Sequence, residues 1–171
     1  MMPQSQLTWS VPYTLLDDSI SLMRPHGACG NEGLALWFGS VEGNKATVTR
    51  IIAASGPGFV TSPDYLSLSS AAMCTLTDLA EQIDAVLVGQ IHSHPGRFVD
   101  LSALDKEHGI RADGYLSVVC PFYAQRYVGL DECGVHVFDN FAYRRMSARE
   151  VSARIIPCDA ELSIIRCEVP A

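Results

Sequence analysis

The 171-residue sequence has little charge for its size and no excess of basic residues. Charged side chains make up 18% of it, and 12 Lys and Arg stand against 19 Asp and Glu, for a formal net charge of −7. A protein that grips nucleic acid through its phosphates wants a basic face, so this balance argues against nucleic acid as a partner. Long apolar runs are also missing, and none approaches the roughly 18 residues that a membrane span requires. The opening Met1-Met2-Pro3-Gln4-Ser5-Gln6 has neither the basic start nor the apolar core of a secretory leader. No membrane partner is expected, and the expected location is cytoplasmic. The six cysteines (Cys29, Cys74, Cys120, Cys133, Cys158 and Cys167) form no Cys-x-x-Cys pair, which removes the common structural-zinc and redox spacings. Without secretory cues most of them read as buried thiols acting as small apolar residues. There is no internal repeat, low-complexity tract or linker.

What is present is an apolar fraction of 48%, enough for one domain with a real core. Residues 1 to 12 carry Pro3 and Pro12 and read as a loose arm or an edge strand, ahead of a domain over 13 to 171. Tyr13 to Met23 has a helical stripe that Pro25 and Gly27 should end. Leu34 to Phe38 and Ala46 to Ala54 read as a hairpin around Gly43-Asn44. Ser62-Pro63-Asp64 looks like the start of a long helix whose apolar positions run from Leu66 to Ile83. Ala85 to Ile91, Tyr115 to Cys120, Gln125 to Leu130 and Val135 to Phe138 read as strands, and Ser163 to Val169 as a terminal strand. Ser147-x-x-Glu150 could cap a short helix. The pattern is α+β, a mixed sheet with helices packed on it.

One stretch carries chemistry. Behind Ala85-Val86-Leu87-Val88, the chain reads His92-Ser93-His94-Pro95, then Ser102-Ala103-Leu104-Asp105. Two histidines separated by one residue on a strand point to the same side. Pro95 ends the ladder because it has no N–H. Ser102 and Asp105, three apart on a helix, share one face. His92, His94 and Asp105 offer three N/O ligands, which suit zinc with a fourth position left to water. The plainer reading of Ser102-x-x-Asp105 is a helix capping box.

These residues resemble the JAMM, or MPN+, metallopeptidases (the Mov34/PAD-1, JAB family). The family's pattern is an upstream glutamate, His-Ser/Thr-His, a seven-residue gap and Ser-x-x-Asp. Pro95 to Leu101 make the gap, and the glutamate that fits is Glu32, at the entry to an early core strand; Glu42 and Glu81 are its weaker competitors. The resemblance implies a single MPN (JAB) domain with a curved mixed sheet flanked by helices and cytidine-deaminase-like layering. It also implies one Zn²⁺ per chain held by His92, His94 and Asp105. Catalysis would fall to Glu32, the general base and acid for a zinc-activated water, and to Ser102, which would stabilise the oxyanion. Arg97 and Phe98, in the gap, would line the substrate cleft. His26, His108 and His136 read as structural or exposed, with His108 close enough to Asp105 to support it.

Members of this family cleave after the C-terminal glycine of ubiquitin or ubiquitin-like proteins. The compact form here resembles bacterial deubiquitinase-like members encoded beside E1- and E2-like conjugation enzymes, some linked to antiviral defence. The implied function is a zinc isopeptidase or peptidase acting on a ubiquitin-like protein, by deconjugation or precursor processing. A peptidase maturing a sulfur-carrier protein, or a non-catalytic MPN scaffold, are the alternatives. A cysteine nucleophile has no single candidate, and a zinc deaminase would want His-x-Glu with Pro-Cys-x-x-Cys, which is absent.

Overall fold

The computed structural model describes residues 7–171. Part of the expected arm, residues 1–6, lies outside the described residues. Among the described residues, eleven strands and four α-helices form an α+β fold. Nine strands make one mixed sheet, in the order β10 (Ile155–Cys158), β1 (Thr8–Pro12), β3 (Lys45–Ser55), β2 (Leu34–Glu42), β6 (Val86–Ser93), β7 (Leu116–Cys120), β8 (Gly134–Asp139) and β9 (Ala142–Arg145), with β11 (Ser163–Glu168) also on β3. Two short strands, β4 (Phe59–Thr61) and β5 (Leu66–Leu68), form a separate hairpin.

The centre of the sheet is the antiparallel pair β2 (Leu34–Glu42) and β3 (Lys45–Ser55), joined by the expected tight turn at Gly43-Asn44. Strand β6 (Val86–Ser93) lies antiparallel to β2 on its other side and parallel to β7 (Leu116–Cys120). Strands β8 (Gly134–Asp139) and β9 (Ala142–Arg145) complete that half as a meander. On the far edge of β3, β1 (Thr8–Pro12) and β11 (Ser163–Glu168) pair in succession, both parallel. β10 (Ile155–Cys158) lies outside β1.

The two faces carry separate cores. Helix α1 (Leu15–Ala28) buries Leu15, Ser19, Met23 and Gly27, one residue every turn, together with Ile20. This stripe packs against Ala35, Trp37, Ile51, Ile91 and Val118, and Ser19 accepts a hydrogen bond from the Trp37 indole at 2.9 Å. On the other face, helix α2 (Ser70–Gln82) packs Ala72, Leu76 and Ala80 onto Leu34, Leu36, Phe38 and Ile52. Side chains alternate along β2, so consecutive residues feed opposite cores.

Several expectations are corrected. Helix α1 runs through Pro25 to Ala28; the ring's missing N–H costs about 3 kcal/mol in a helix interior, and the buried stripe of α1 outweighs it. The segment after Ser62-Pro63-Asp64 is not a helix start. It is the tip of the hairpin formed by β4 (Phe59–Thr61) and β5 (Leu66–Leu68), and α2 begins at Ser70, where Ser69 caps the Ala72 amide at 2.9 Å. Gln125 to Leu130 is not a strand, because the chain leaves β7 through a left-handed turn at Phe122–Ala124. Strand β1 is no edge, since β10 covers it. β9 and β10 have no counterpart among the strands that the sequence pattern predicts. The short helix after Ser147 is present as α4 (Ala148–Arg154), with its capping box formed.

Candidate metal centre

The histidines arrive at the end of β6. His92 sits opposite Leu34, and Gln90 opposite Leu36; directly paired residues share a face, so His92 emerges on the α2 side of the sheet. Beyond the strand, the His94 amide donates to the Cys120 carbonyl at 2.9 Å, which carries the second imidazole alongside the first. Both are buried, at 1% and 7% exposed.

Asp105 comes from α3 (Ala103–His108), whose start is a full capping box. The Asp105 amide donates to the Ser102 hydroxyl at 3.1 Å, and the Ser102 amide donates to Asp105 Oδ2 at 2.7 Å. The capping reading of Ser102 and the ligand reading of Asp105 are therefore compatible, since the cap is what orients the carboxylate.

His92 Nε2 lies 3.2 Å from His94 Nε2 and 3.4 Å from Asp105 Oδ1, and His94 Nε2 lies 3.3 Å from Asp105 Oδ2. His94 Nδ1 is 3.1 Å from the Phe98 carbonyl, an acceptor that fixes the proton on Nδ1 and leaves the Nε2 lone pair facing the cluster. Three donors converging this closely could hold one metal ion. Zinc bonded at about 2.0–2.1 Å in a tetrahedron sets neighbouring donors about 3.3 Å apart, and the three residues fit it in donor type and in spacing. His92 Nδ1 alone is left buried without a partner in this cluster among the described residues.

Electrostatics follow the same grouping. Burial opposes ionisation of Asp105, yet in the metal-free protein the adjoining His92 and His94 imidazoles, when protonated toward it, and the Ser102 amide hold its carboxyl well below the usual carboxylate range. His94 is pulled down by burial, but the Asp105 and Glu32 carboxylates outweigh this and raise it.

Glu32 reaches the cluster from the other strand. It stands just before β2, 4% exposed, with Oε1 4.0 Å from His94 Nε2. Its backbone is held by the hairpin tip: its amide donates to the Ser62 carbonyl at 2.9 Å, and Thr61 Oγ1 donates to its carbonyl. Burial is the main cause that pushes the carboxyl up to about 7, with Asp105 and Asp64 adding to it and His94 opposing. A carboxyl so placed can take up and return a proton near neutral pH. The competitors are elsewhere: Glu42 is exposed at the opposite end of β2, and Glu81 is exposed on α2.

Of the expected cleft residues, Arg97 and Phe98 lie on the exposed loop after Pro95, and the Phe98 side chain is 65% exposed. What Phe98 brings to the centre is its carbonyl, which nothing in the residue type announces. His108 is exposed at the end of α3, His26 stacks edge-on against Phe59 at 5.5 Å, and buried His136 faces Asp100 at 3.7 Å. Ser93 had no expected role beyond its place in the motif; it is fully buried and joins the β6 end to the β2 entry through Gly33. Its position between the two histidines was the available signal.

A left-handed turn braces the loop after the histidines. Phe122, Tyr123 and Ala124 have φ of 56°, 52° and 56°, a conformation that costs a non-glycine residue about 1–2 kcal/mol. The Tyr123 amide donates to the His94 carbonyl at 2.7 Å, and the Phe122 amide to the Gly96 carbonyl at 2.9 Å.

Beside Asp105 opens a groove of about 330 Å³, lined by Leu34, Leu36, Leu66, Leu68, Leu104 and Gln90 among others. Its walls are β5 and α3, and its floor is β2 and β6.

No family model matches the sequence, and no curated protein matches it. Among solved structures, a protein of Desulfitobacterium hafniense known from a solution structure is 20% identical, with a TM-score of 0.64; the match covers 90% of this chain and 94% of that one. That similarity shows a shared fold. A JAB1/MPN domain protein from Archaeoglobus fulgidus is 11% identical, with a TM-score of 0.47, and the match covers 88% of this chain and 97% of that one. No helix among the described residues is long and apolar enough to cross a membrane.

Proposed function

We propose that the protein is a zinc-dependent peptidase or isopeptidase of the JAMM type, in which His92, His94 and Asp105 hold one Zn²⁺ and Glu32 serves as general base and acid. The observation that carries this reading is the meeting of Glu32 with the three-ligand cluster. A buried carboxyl raised to about 7 stands 4.0 Å from a ligand nitrogen, although the residues come from different strands some sixty positions apart. Structural ion pairs do not require a carboxyl held near neutrality, whereas proton transfer does.

Zinc bound there would polarise an amide carbonyl and lower the pKa of water to about 7. Glu32 would accept a proton beside His94 and return it to the leaving amine. The Ser102 hydroxyl accepts from the Asp105 amide through its lone pair, which leaves its own proton free to donate to a developing oxyanion.

The substrate we propose is the extended C-terminal tail of a ubiquitin-like protein, cut after its terminal glycine in a conjugate or a precursor. The groove supports this choice: leucines make up much of its wall, and it is flanked by β5, which among the described residues pairs only with β4, leaving its other edge for strand addition. Conjugation enzymes resembling E1 and E2 would be the expected partners in the cell. Arg97 and Phe98, exposed on the loop after the histidines, would meet the substrate.

The test is to incubate the zinc-loaded chain with ubiquitin-like proteins extended by a peptide or joined to a lysine amine, and to follow release by intact-mass spectrometry. Cleavage after the glycine that stops with a chelator supports the reading. Binding without cleavage would favour the scaffold.

A further inference from the structure

The two halves of the candidate centre come from β6 and from the β2 entry, and the structure contains a residue that touches both. Tyr123 donates its amide proton to the His94 carbonyl at 2.7 Å and its phenol proton to the Pro63 carbonyl at 2.7 Å. Pro63 lies at the hairpin tip, next to Ser62, whose carbonyl receives the Glu32 amide at 2.9 Å. A short chain of hydrogen bonds thus runs from a metal-ligand candidate through Tyr123 and the tip to the general-base candidate.

The turn that presents Tyr123 is held against its own conformational preference. Three successive non-glycine residues are left-handed, and such a run persists only where its surroundings over-determine it. Helix α1 supplies much of that restraint. Gln125 Nε2 donates to the Arg24 and Tyr123 carbonyls, each at 3.0 Å. Gly27 packs so closely that any Cβ there would collide with the Tyr123 carbonyl oxygen, which accounts for a glycine inside a helix at this position.

We propose that Tyr123 is a positioning residue: it latches the Ser62–Tyr65 tip and thereby fixes Glu32 relative to His94. The proposal rests on the peptidase reading for its catalytic consequence but not for the latch itself. The left-handed turn is the fixed post, the phenol is the bolt, and the exposed tip is the part that would swing without it.

Tyr123→Phe keeps the ring and the turn and removes only the phenol donor; Ala124→Gly relaxes the strained turn and keeps the phenol. Amide hydrogen exchange by mass spectrometry, read on peptides spanning 59–68, should be roughly 2- to 10-fold faster in Tyr123→Phe, the range for one lost hydrogen bond, and unchanged in Ala124→Gly. Exchange in α2 and β3 should match the wild type. With kcat expressed per zinc-bound chain, Tyr123→Phe should lower kcat by a similar factor and leave KM unaltered, because Tyr123 acts on Glu32 rather than on substrate. Wild-type exchange at the tip in Tyr123→Phe would overturn the latch. A loosened tip with unchanged kcat per zinc would overturn the positioning role. A loosened tip in a chain that hydrolyses no amide would preserve the latch and sink the peptidase reading, so the two failures are distinguishable.

Discussion

The Gly33 amide donates to the Ser93 hydroxyl at 2.9 Å, and the Ser93 amide donates back to the Gly33 carbonyl at 3.1 Å. Each partner stands one residue from a member of the candidate centre: Gly33 follows Glu32, and Ser93 lies between His92 and His94. This reciprocal pair, buried at the top of the β2–β6 ladder, sets the spacing between the general-base candidate and the candidate ligands.

Ser93→Ala should therefore do more than lose a hydrogen bond. It strands the buried Gly33 amide, at a cost of about 1–3 kcal/mol. The expected result is a lower urea midpoint with zinc retained and turnover reduced. An unchanged midpoint would mean that water or a shifted carbonyl serves Gly33 instead.

The charge state of Glu32 makes a prediction about stability that needs no metal. Burial raises its folded carboxyl from 4.5 to about 7, so the folded state holds this proton to higher pH than the unfolded state does. The stability this contributes is complete below about pH 4.5 and is lost as pH rises through 7. Glu32→Gln cannot ionise and escapes the loss. In chelator, the variant should be more stable than the wild type at pH 8 by on the order of 3 kcal/mol, because the carboxyl moves from 4.5 to about 7 and each tenfold change in proton affinity is worth about 1.4 kcal/mol. The gap should close as pH falls toward 4.5. Urea unfolding across that range measures it, and equal stabilities at pH 8 would contradict the burial argument.

Ser102 has a cap to lose and, on the proposed chemistry, an oxyanion donor as well. Ser102→Ala should lower stability by about 1 kcal/mol through the cap and should lower kcat per bound zinc by about 10²-fold. If only stability changes, Ser102 orients Asp105 and does nothing further.

The metal set itself is tested by elemental analysis of protein purified without added metal. Near one zinc per chain is expected for the wild type, with loss in Asp105→Ala and in His92→Ala. Wild type that takes up no zinc even after reconstitution would remove the hydrolase reading.

Much of the centre is legible in the sequence because its parts are local. The His92-Ser93-His94 spacing, the breaking effect of Pro95 and the Ser102-to-Asp105 helix start are each set within a few residues. Glu32 is legible only through family resemblance, since some sixty residues separate it from the histidines and only the β2–β6 pairing brings it near. The hairpin tip reads as a helix because Ser62-Pro63-Asp64 has the residues of a helix start, and the three-residue strands around it are too short to show a period of two. The left-handed turn at Phe122–Ala124 carries no glycine or asparagine to mark it; tertiary hydrogen bonds to His94 and Gly96 impose it, so the expected strand after it never forms. β1 looks like an edge because its partner β10 enters the sheet some 140 residues later.

The most direct test of the central claim compares zinc-loaded wild type with Glu32→Gln on a ubiquitin-like protein bearing an amide-linked extension beyond its terminal glycine. Both proteins should carry one zinc per chain, and the variant should turn over at least about 10²-fold more slowly, the loss expected when a general base is removed. Equal turnover by the two zinc-loaded proteins would contradict the account, because a buried carboxyl near 7 beside the candidate ligands would then have no part in the chemistry.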